Sequence, residues 1–344
     1  MSPLPEASTR ENSGAEKSRA ENSQVENSSA TCANRIKVGF IVGPTGSGKT
    51  AIAMTVAERL GAEIVNADSR QLYTGMDIGT AKPSAEERRR VPHHLIDVRT
   101  PDQPLDVAGF VAMARAAIVD IARRGRRPLV VGGSGFYLRA LRGGIFSGPS
   151  ASAEIRHEFE QIAAARGIPF LHDELMKVDP PSASRIQRND LYRIVRALEV
   201  HRITGIPISV HQERHRFAER EFDTLSIAVE VPRAELYDSI NARFDAMIAA
   251  GFIEEVRRLI AAGYTPEHPP LNSIGYSQAA SFIRGEVTLA ESISIAKRKT
   301  RQFAKRQLTW FRHDPEVAWV DGHQGAAQAL MLFEKFFSPA VTVS

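Results

Sequence analysis

From residue 36 onward the apolar positions fall into short continuous runs and longer stretches of helical spacing, and the two kinds alternate. Ile36–Val42 is a short, β-branched run bounded by glycine, the pattern of a strand buried on both faces. Ala51–Leu60 has helical spacing and stops at Gly61, and Ala62–Ala67 reads as a second strand. Val91–Val98 reads as a further strand entry, Phe110–Arg124 as a helix with a basic end, and Pro128–Val131 as another buried strand. This alternation predicts an α/β fold with a parallel sheet flanked by helices.

The texture changes at Gly143. Ala153–Arg166 and Phe170–Val178 read as amphipathic helices, Pro180-Pro181 breaks the chain, and Arg185–Arg202 reads as one long helical stretch. Leu225–Val231 then returns as a strand, and Tyr237–Ala262 is helical with Gly251 interrupting it. The resulting plan is a sheet core built from 35–142 and 223–320, a helical insertion at 143–222 and a C-terminal tail at 321–344. Residues 1–34 are polar and repeat Glu-Asn-Ser, too poor in apolar surface to offset their ordering entropy, and are expected to be a disordered tail.

Composition narrows this picture a little. The 44 Lys and Arg exceed the 40 Asp and Glu by only +4, so the clustering of charge matters more than its sum. The single cysteine, Cys32, excludes an internal disulfide framework and a cysteine-rich zinc site, and fits a reducing cytoplasm. No apolar run reaches the ~18 residues of a membrane span. Neither a heptad nor a dimer stripe is evident, so a monomer without an obligate protein partner is expected.

The strongest chemical signal is Gly43-Pro44-Thr45-Gly46-Ser47-Gly48-Lys49-Thr50, which fits G-x-x-x-x-G-K-[ST] between a strand and a helix. Glycines let backbone amides converge on phosphate oxygens at a helix N-terminus, Lys49 adds a charge, and the Thr50 hydroxyl is placed to ligate Mg²⁺. The loop therefore accepts a di- or triphosphate, ATP among the candidates. Asp68 follows the second strand and projects into the same crevice. Where a nucleotide hydrolase carries a Mg²⁺-holding Asp after the strand at Val131, this chain has Gly132-Gly133-Ser134-Gly135, which weighs against a motor or switch NTPase. Adjacent His93 and His94 point to opposite faces of a strand, so a metal role is disfavoured.

Two basic stretches remain. Arg185, Arg188, Arg193, Arg196 and Arg202 stand against Asp190 and Glu199, either a solvated helix face or a phosphate-binding one. Lys297–Arg312 carries seven basic residues, no acid, and the aromatics Phe303, Trp310 and Phe311, the most nucleic-acid-like stretch in the chain. Spacing alone leaves open whether Arg243 meets a core edge or a phosphate.

In order, GPTGSGKT, NADSRQLY (66–73), MDIGTAKP (76–83), PHHLIDV (92–98), GGSGFYLRAL (132–141), RNDLYRIVRALEV (188–200), IGY (274–276) and KRQLTWFR (305–312) make the chain resemble the tRNA dimethylallyltransferases, bacterial type. That resemblance implies a P-loop NTPase-like core, an inserted helical domain that grips the tRNA anticodon stem-loop, and Mg²⁺. The implied reaction moves a dimethylallyl group from dimethylallyl diphosphate to N6 of adenosine-37 in tRNAs reading codons that begin with U. By family position Asp68 is the general base, and Gly43–Thr50 with Arg243 hold the diphosphate. Asp68, Ser69, Arg70, Gln71 and Ser134 would line the adenine's entry. Arg156, Gln187, Arg188, Asn189, Asp190, Leu191, Gly275 and Tyr276 would contact tRNA, although Ser277 replaces the basic residue many relatives carry there. The competing reading is a small-molecule P-loop kinase, with Asp68 positioning an acceptor hydroxyl.

Overall fold

The computed structural model describes residues 35–144, 148–149, 152–215 and 220–338. The tail expected over 1–34, and Cys32 within it, lie outside them. Six parallel strands, β1 (Lys37–Val42), β2 (Ala62–Asn66), β3 (His93–His94), β4 (Arg127–Gly132), β5 (Asp223–Glu230) and β6 (Val317–Asp321), form one sheet in the order β3-β2-β4-β1-β5-β6. At the centre, Val42 pairs with Gly132 of β4 on one side and Ala228 of β5 on the other. The chain leaves β1 in one direction and returns through β5 in the other, so the loop after β1 opens at a topological switch point, where α/β sheets bind ligands.

The helices of the sheet body are α1 (Lys49–Leu60), α2 (Ala85–Arg90), α3 (Val107–Arg123) and α4 (Gly135–Gly143). The insertion segment carries α5 (Ala153–Arg166), α6 (Ile168–Val178), α7 (Pro180–Ala183), α8 (Leu191–Thr204) and α9 (Ile208–His215). After β5 come α10 (Arg233–Ala249), α11 (Phe252–Ala261), α12 (Tyr276–Ile283), α13 (Leu289–Arg312) and α14 (Gly325–Phe337). Gly251, at φ 94°, divides α10 from α11, a left-handed turn that glycine makes without a Cβ penalty.

Among the described residues, buried apolar clusters form both in the sheet body and in the inserted segment. Ile52, Val56, Leu129, Ile227, Val229 and Phe333 fill one face of the sheet beneath α1 and α14. Phe159, Leu171, Leu175, Ile194, Val195 and Leu198 join α5, α6 and α8 in a separate cluster. Both ends of the inserted segment reach the same turn of the sheet body: Arg142 pairs with Asp314, and Arg220 with Glu316.

Three expectations are corrected. Residues 325–337 are a helix rather than part of a tail, because Ala329 and Phe333 recur on one face and bury against the sheet. The stretch from Arg185 is not continuous helix: α8 begins at Leu191, where the Asp190 side chain accepts the Arg193 N–H and caps it. Only His93 and His94 of the 91–98 stretch pair as a strand, since Leu95 and Asp97 turn to φ 61° and 57°.

Phe333 is fully buried, against Gly39, where any Cβ would sit 2.8 Å from its ring. Phe333→Ala is expected to lower unfolding stability by about 3–5 kcal/mol, read from the denaturant midpoint.

Candidate active site

The phosphate loop runs from β1 into α1 and closes on itself through the Ser47 N–H and the Pro44 carbonyl, 3.3 Å. Gly46, at φ 86°, lies so close to α10 that a Cβ would meet Ile240 at 2.8 Å, and Ser239 donates to the Gly46 carbonyl at 3.0 Å. Lys49 opens α1, and its Nζ donates to the Pro44 carbonyl at 3.3 Å. Although the residue keeps some exposure, its ammonium is enclosed; desolvation brings its pKa down to about 8, against the raising effect of Asp68 and with a smaller lowering from Arg243. Arg243 reaches in from α10 and donates to the Thr45 hydroxyl. Burial lowers its pKa too, and Asp68 opposes that shift. One carboxylate thus faces two poorly hydrated cations.

Asp68 is fixed by its neighbours. The Asn66 side chain, at the end of β2, accepts the Asp68 N–H at 3.1 Å and donates to the Leu95 carbonyl at 3.0 Å. The Arg70 N–H donates to Asp68 Oδ1 at 2.8 Å, an Asx turn that leaves Oδ2 for other work. The Ser69 N–H donates to Ser134 Oγ at 3.3 Å, joining the β2 exit to the β4 exit. Gly132 permits that approach, since a Cβ there would stand 2.3 Å from the Ala67 carbonyl oxygen. Gln71 donates to the carbonyls of Thr80 and Ala81, both at 3.1 Å, and braces the following loop.

The cradle suits an anion with a divalent cation on it. The Ser47 hydroxyl is buried without a hydrogen-bond partner, and Thr50 is exposed at the start of α1. Among the described residues no cluster of three or more His, Cys, Asp or Glu side chains is placed to hold a metal. A Mg²⁺ ion would therefore take Thr50 and the ligand's own oxygens, as hard cations in phosphate sites do.

The sequence-predicted residues divide cleanly. Gly43–Thr50, Asp68, Ser69, Ser134 and Arg243 converge. On the insertion, Gln187, Arg188 and Asn189 are exposed, with Asp190 and Leu191 half-buried at the start of α8. Arg156 is occupied: it pairs at 3.0 Å with Glu199, a fully buried carboxylate that Arg196 also holds at 2.6 Å. Arg188 pairs with Asp173 at the surface, and the exposed Arg193 pairs with the half-buried Asp190, contacts of the kind that contribute little to stability.

Gly275 and Tyr276 are corrected. Tyr276 is 1 % exposed and donates its hydroxyl to Glu255 at 2.6 Å, so neither it nor the turn at Gly275 presents a surface to RNA. Glu255 also accepts the backbone N–H groups of Asp77, Ile78 and Gly79. Tyr276 therefore secures the 76–83 loop from behind, and burial together with the Glu255 charge raises its pKa.

Two features were missed by sequence reasoning. Asn66 orients Asp68, and Gln307 of α13 accepts the Thr45 N–H and donates to the Gly133 carbonyl, each at 2.9 Å. The signal for Gln307 was its phase, three residues after Ala304 and four before Phe311, both buried. On the outer side of α13, Phe303 and Trp310 stay 38 % exposed among cations while Phe311 is buried. Trp310 lies over Gly135, and a cleft of about 530 Å³ opens beside it, lined by Arg139, Arg306 and His313 among others.

The family model described as IPP transferase matches residues 71–314, and that described as isopentenyl transferase matches 36–104. A tRNA dimethylallyltransferase of Syntrophobacter fumaroxidans is 49 % identical over 83 % of this chain and 84 % of its own length. One from Geobacter metallireducens is 49 % identical over 83 % and 93 %. Among solved structures, a tRNA isopentenylpyrophosphate transferase from Bacillus halodurans superposes with a TM-score of 0.65 at 38 % identity, covering 87 % of this chain and 96 % of that one. A eukaryotic dimethylallyltransferase acting on tRNA gives a TM-score of 0.74 at 27 % identity, covering 88 % and 79 %.

Lys49 must be protonated to hold an anion. With its pKa near 8 in the free protein, the affinity for inorganic pyrophosphate, corrected for the ligand's own ionisations, is expected to be flat below that pH and to fall above it. The loss between pH 7 and 9.5 should be about 30-fold, one proton per ligand bound. Titration calorimetry checks this, and Lys49→Met should bind weakly with no such slope.

Proposed function

The chain belongs to the IPP transferase family, and on that premise we propose that it is a tRNA dimethylallyltransferase, transferring a dimethylallyl group from dimethylallyl diphosphate to N6 of adenosine-37. The observation that carries this reading is one carboxylate, Asp68, set between a cationic phosphate cradle and the β4 exit at Ser134, which holds the Ser69 N–H beside it. The metabolite-kinase reading finds no support in the family that matches.

The reaction is a displacement at carbon. The N6 lone pair forms a bond to the allylic carbon as the carbon–oxygen bond to diphosphate breaks, and the N6 proton passes to Asp68. An exocyclic amine is a weak nucleophile, so removal of that proton is where a positioned base contributes, typically ~10²–10⁴-fold. Lys49, Arg243 and the amides of the phosphate loop stabilise charge growing on the leaving group, in a site where water is largely displaced. Mg²⁺, held by Thr50 and the diphosphate, would neutralise part of the same charge. The adenine leaves its stack to enter, at a cost of a few kcal/mol, passing Ser69, Arg70, Gln71 and Ser134.

The anticodon stem-loop lies, on this reading, against the exposed start of α8 and the Trp310 face of α13. Trp310 and Phe303 offer stacking surfaces and the neighbouring arginines offer phosphate contacts. A tRNA acceptor implies work in the cytoplasm. Among the described residues no helix is long and apolar enough to cross a membrane.

The test incubates the protein with Mg²⁺, labelled dimethylallyl diphosphate and unmodified tRNA carrying A36-A37-A38, followed by nucleoside analysis by mass. Label on adenosine-37 is expected, with a loss of ~10²–10⁴-fold in Asp68→Ala while tRNA binding stays within a few-fold. Label elsewhere, or an unimpaired Asp68→Ala, overturns the reading. For binding, Arg188→Ala with Arg193→Ala should weaken tRNA association. Its logarithmic salt slope should flatten by roughly 0.7–0.9 for each phosphate the variant no longer neutralises, measured by filter binding across ionic strength.

A further inference from the structure

Gln307 sits on the inner face of α13 at a position that helical phase assigns to the core, only 8 % exposed. A buried primary amide is costly unless its polar atoms are satisfied. Here both ends are used, and on different walls of the site: Oε1 accepts the Thr45 N–H of the phosphate loop, and Nε2 donates to the Gly133 carbonyl at the β4 exit, each at 2.9 Å. The fit is close enough that a Cβ on Gly133 would stand 2.4 Å from Nε2. Thr45 in turn carries Arg243 on its hydroxyl, and Ser134, next to Gly133, holds the Ser69 N–H beside Asp68. A single line of hydrogen bonds therefore runs from Arg243 and the phosphate loop, through one side chain, to the wall that faces the base.

We propose that Gln307 is a positioning residue that sets the separation between the phosphate cradle and the acceptor wall, and so between the allylic carbon and the attacking amine. This rests on the transfer reaction proposed above. An apolar side chain of similar size would fill the same space and keep the helix packed, but it would leave the loop and the wall free to drift relative to each other. Misplacement of reacting groups by about an ångström costs on the order of 10²-fold in rate, with little effect on the binding of either substrate alone.

Gln307→Leu and Gln307→Glu test this. Gln307→Leu should bind pyrophosphate and tRNA within about threefold of wild type while its single-turnover transfer rate falls by roughly 10- to 100-fold. Gln307→Glu keeps an acceptor for Thr45 but, when ionised, turns an anion toward the Gly133 carbonyl. Its rate relative to wild type should rise as pH falls from 8.5 to 6, because the protonated acid restores a donor there. A purely packing role predicts a lower melting temperature with an unchanged rate per folded molecule and no such pH trend; either result overturns the proposal.

Hydrogen exchange with Mg²⁺ and inorganic pyrophosphate supplies a readout without turnover. Ligand should protect both the phosphate loop and residues 132–138 in wild type, but only the loop in Gln307→Leu. Protection of 132–138 that survives in Gln307→Leu removes the tether even if wild type transfers nothing. Absent transfer by wild type counts against the reaction, and an unimpaired Gln307→Leu counts against the tether.

Discussion

Everything in the active site depends on keeping two poorly hydrated cations beside one carboxylate. Lys49 and Arg243 both lose hydration, and Asp68 is the charge that opposes the resulting pKa shifts in each. Among the described residues neither cation has a carboxylate, Asp68 included, at hydrogen-bonding distance, so Asp68 acts on them only through its field; their bonds run to the Pro44 carbonyl and the Thr45 hydroxyl. Such a pair of positive groups is unfavourable until a polyanion arrives, and the surroundings are arranged to hold them there regardless. The Asx turn fixes Asp68, the close packing of α10 on Gly46 fixes the loop, and the sheet fixes both strand exits. Stability is given up locally so that charge need not reorganise during the reaction.

The inserted helices follow a different electrostatic rule. Their buried carboxylate, Glu199, receives Arg156, Arg196 and the Ser152 N–H, so this buried charge is satisfied within the segment. Burial pushes that carboxyl's pKa up, and the hydrogen bonds from both arginines more than reverse the push, leaving it below the usual range. Arginines that looked equivalent in sequence thus have separate duties. Arg156 and Arg196 build the scaffold, while Arg188 and Arg193 stay at the surface in pairs that solvent and salt weaken.

Much of this was legible in the sequence because it is local. The phosphate loop, its flanking strand and helix, Asp68 at a strand end and the interruption at Gly251 are each set by residues adjacent in the chain. What was not legible depends on partners far apart. Tyr276 was given to RNA by family position alone, and nothing near it in the chain announces Glu255. Gln307 gave only a phase signal, since Thr45 and Gly133 are visible as its partners only after the chain folds. The helix at 325–337 was passed over as a tail because its apolar residues matter only once α1 and the sheet lie beneath them. The arginine stretch looked like one helix because periodicity ignores a capping aspartate in its middle.

The strand order also sets the sequence of events during synthesis. β1 and the phosphate loop leave the ribosome early, yet β1 is a central strand whose neighbours are β4 and β5, with Val42 waiting for Ala228. The inserted helices, joined by short-range contacts, emerge in between and have what they need to condense first. The phosphate loop thus belongs to a half-built sheet for most of translation, its hydrophobic flank open until β5 and α14 arrive. The segment most specialised for binding is made early and enclosed late.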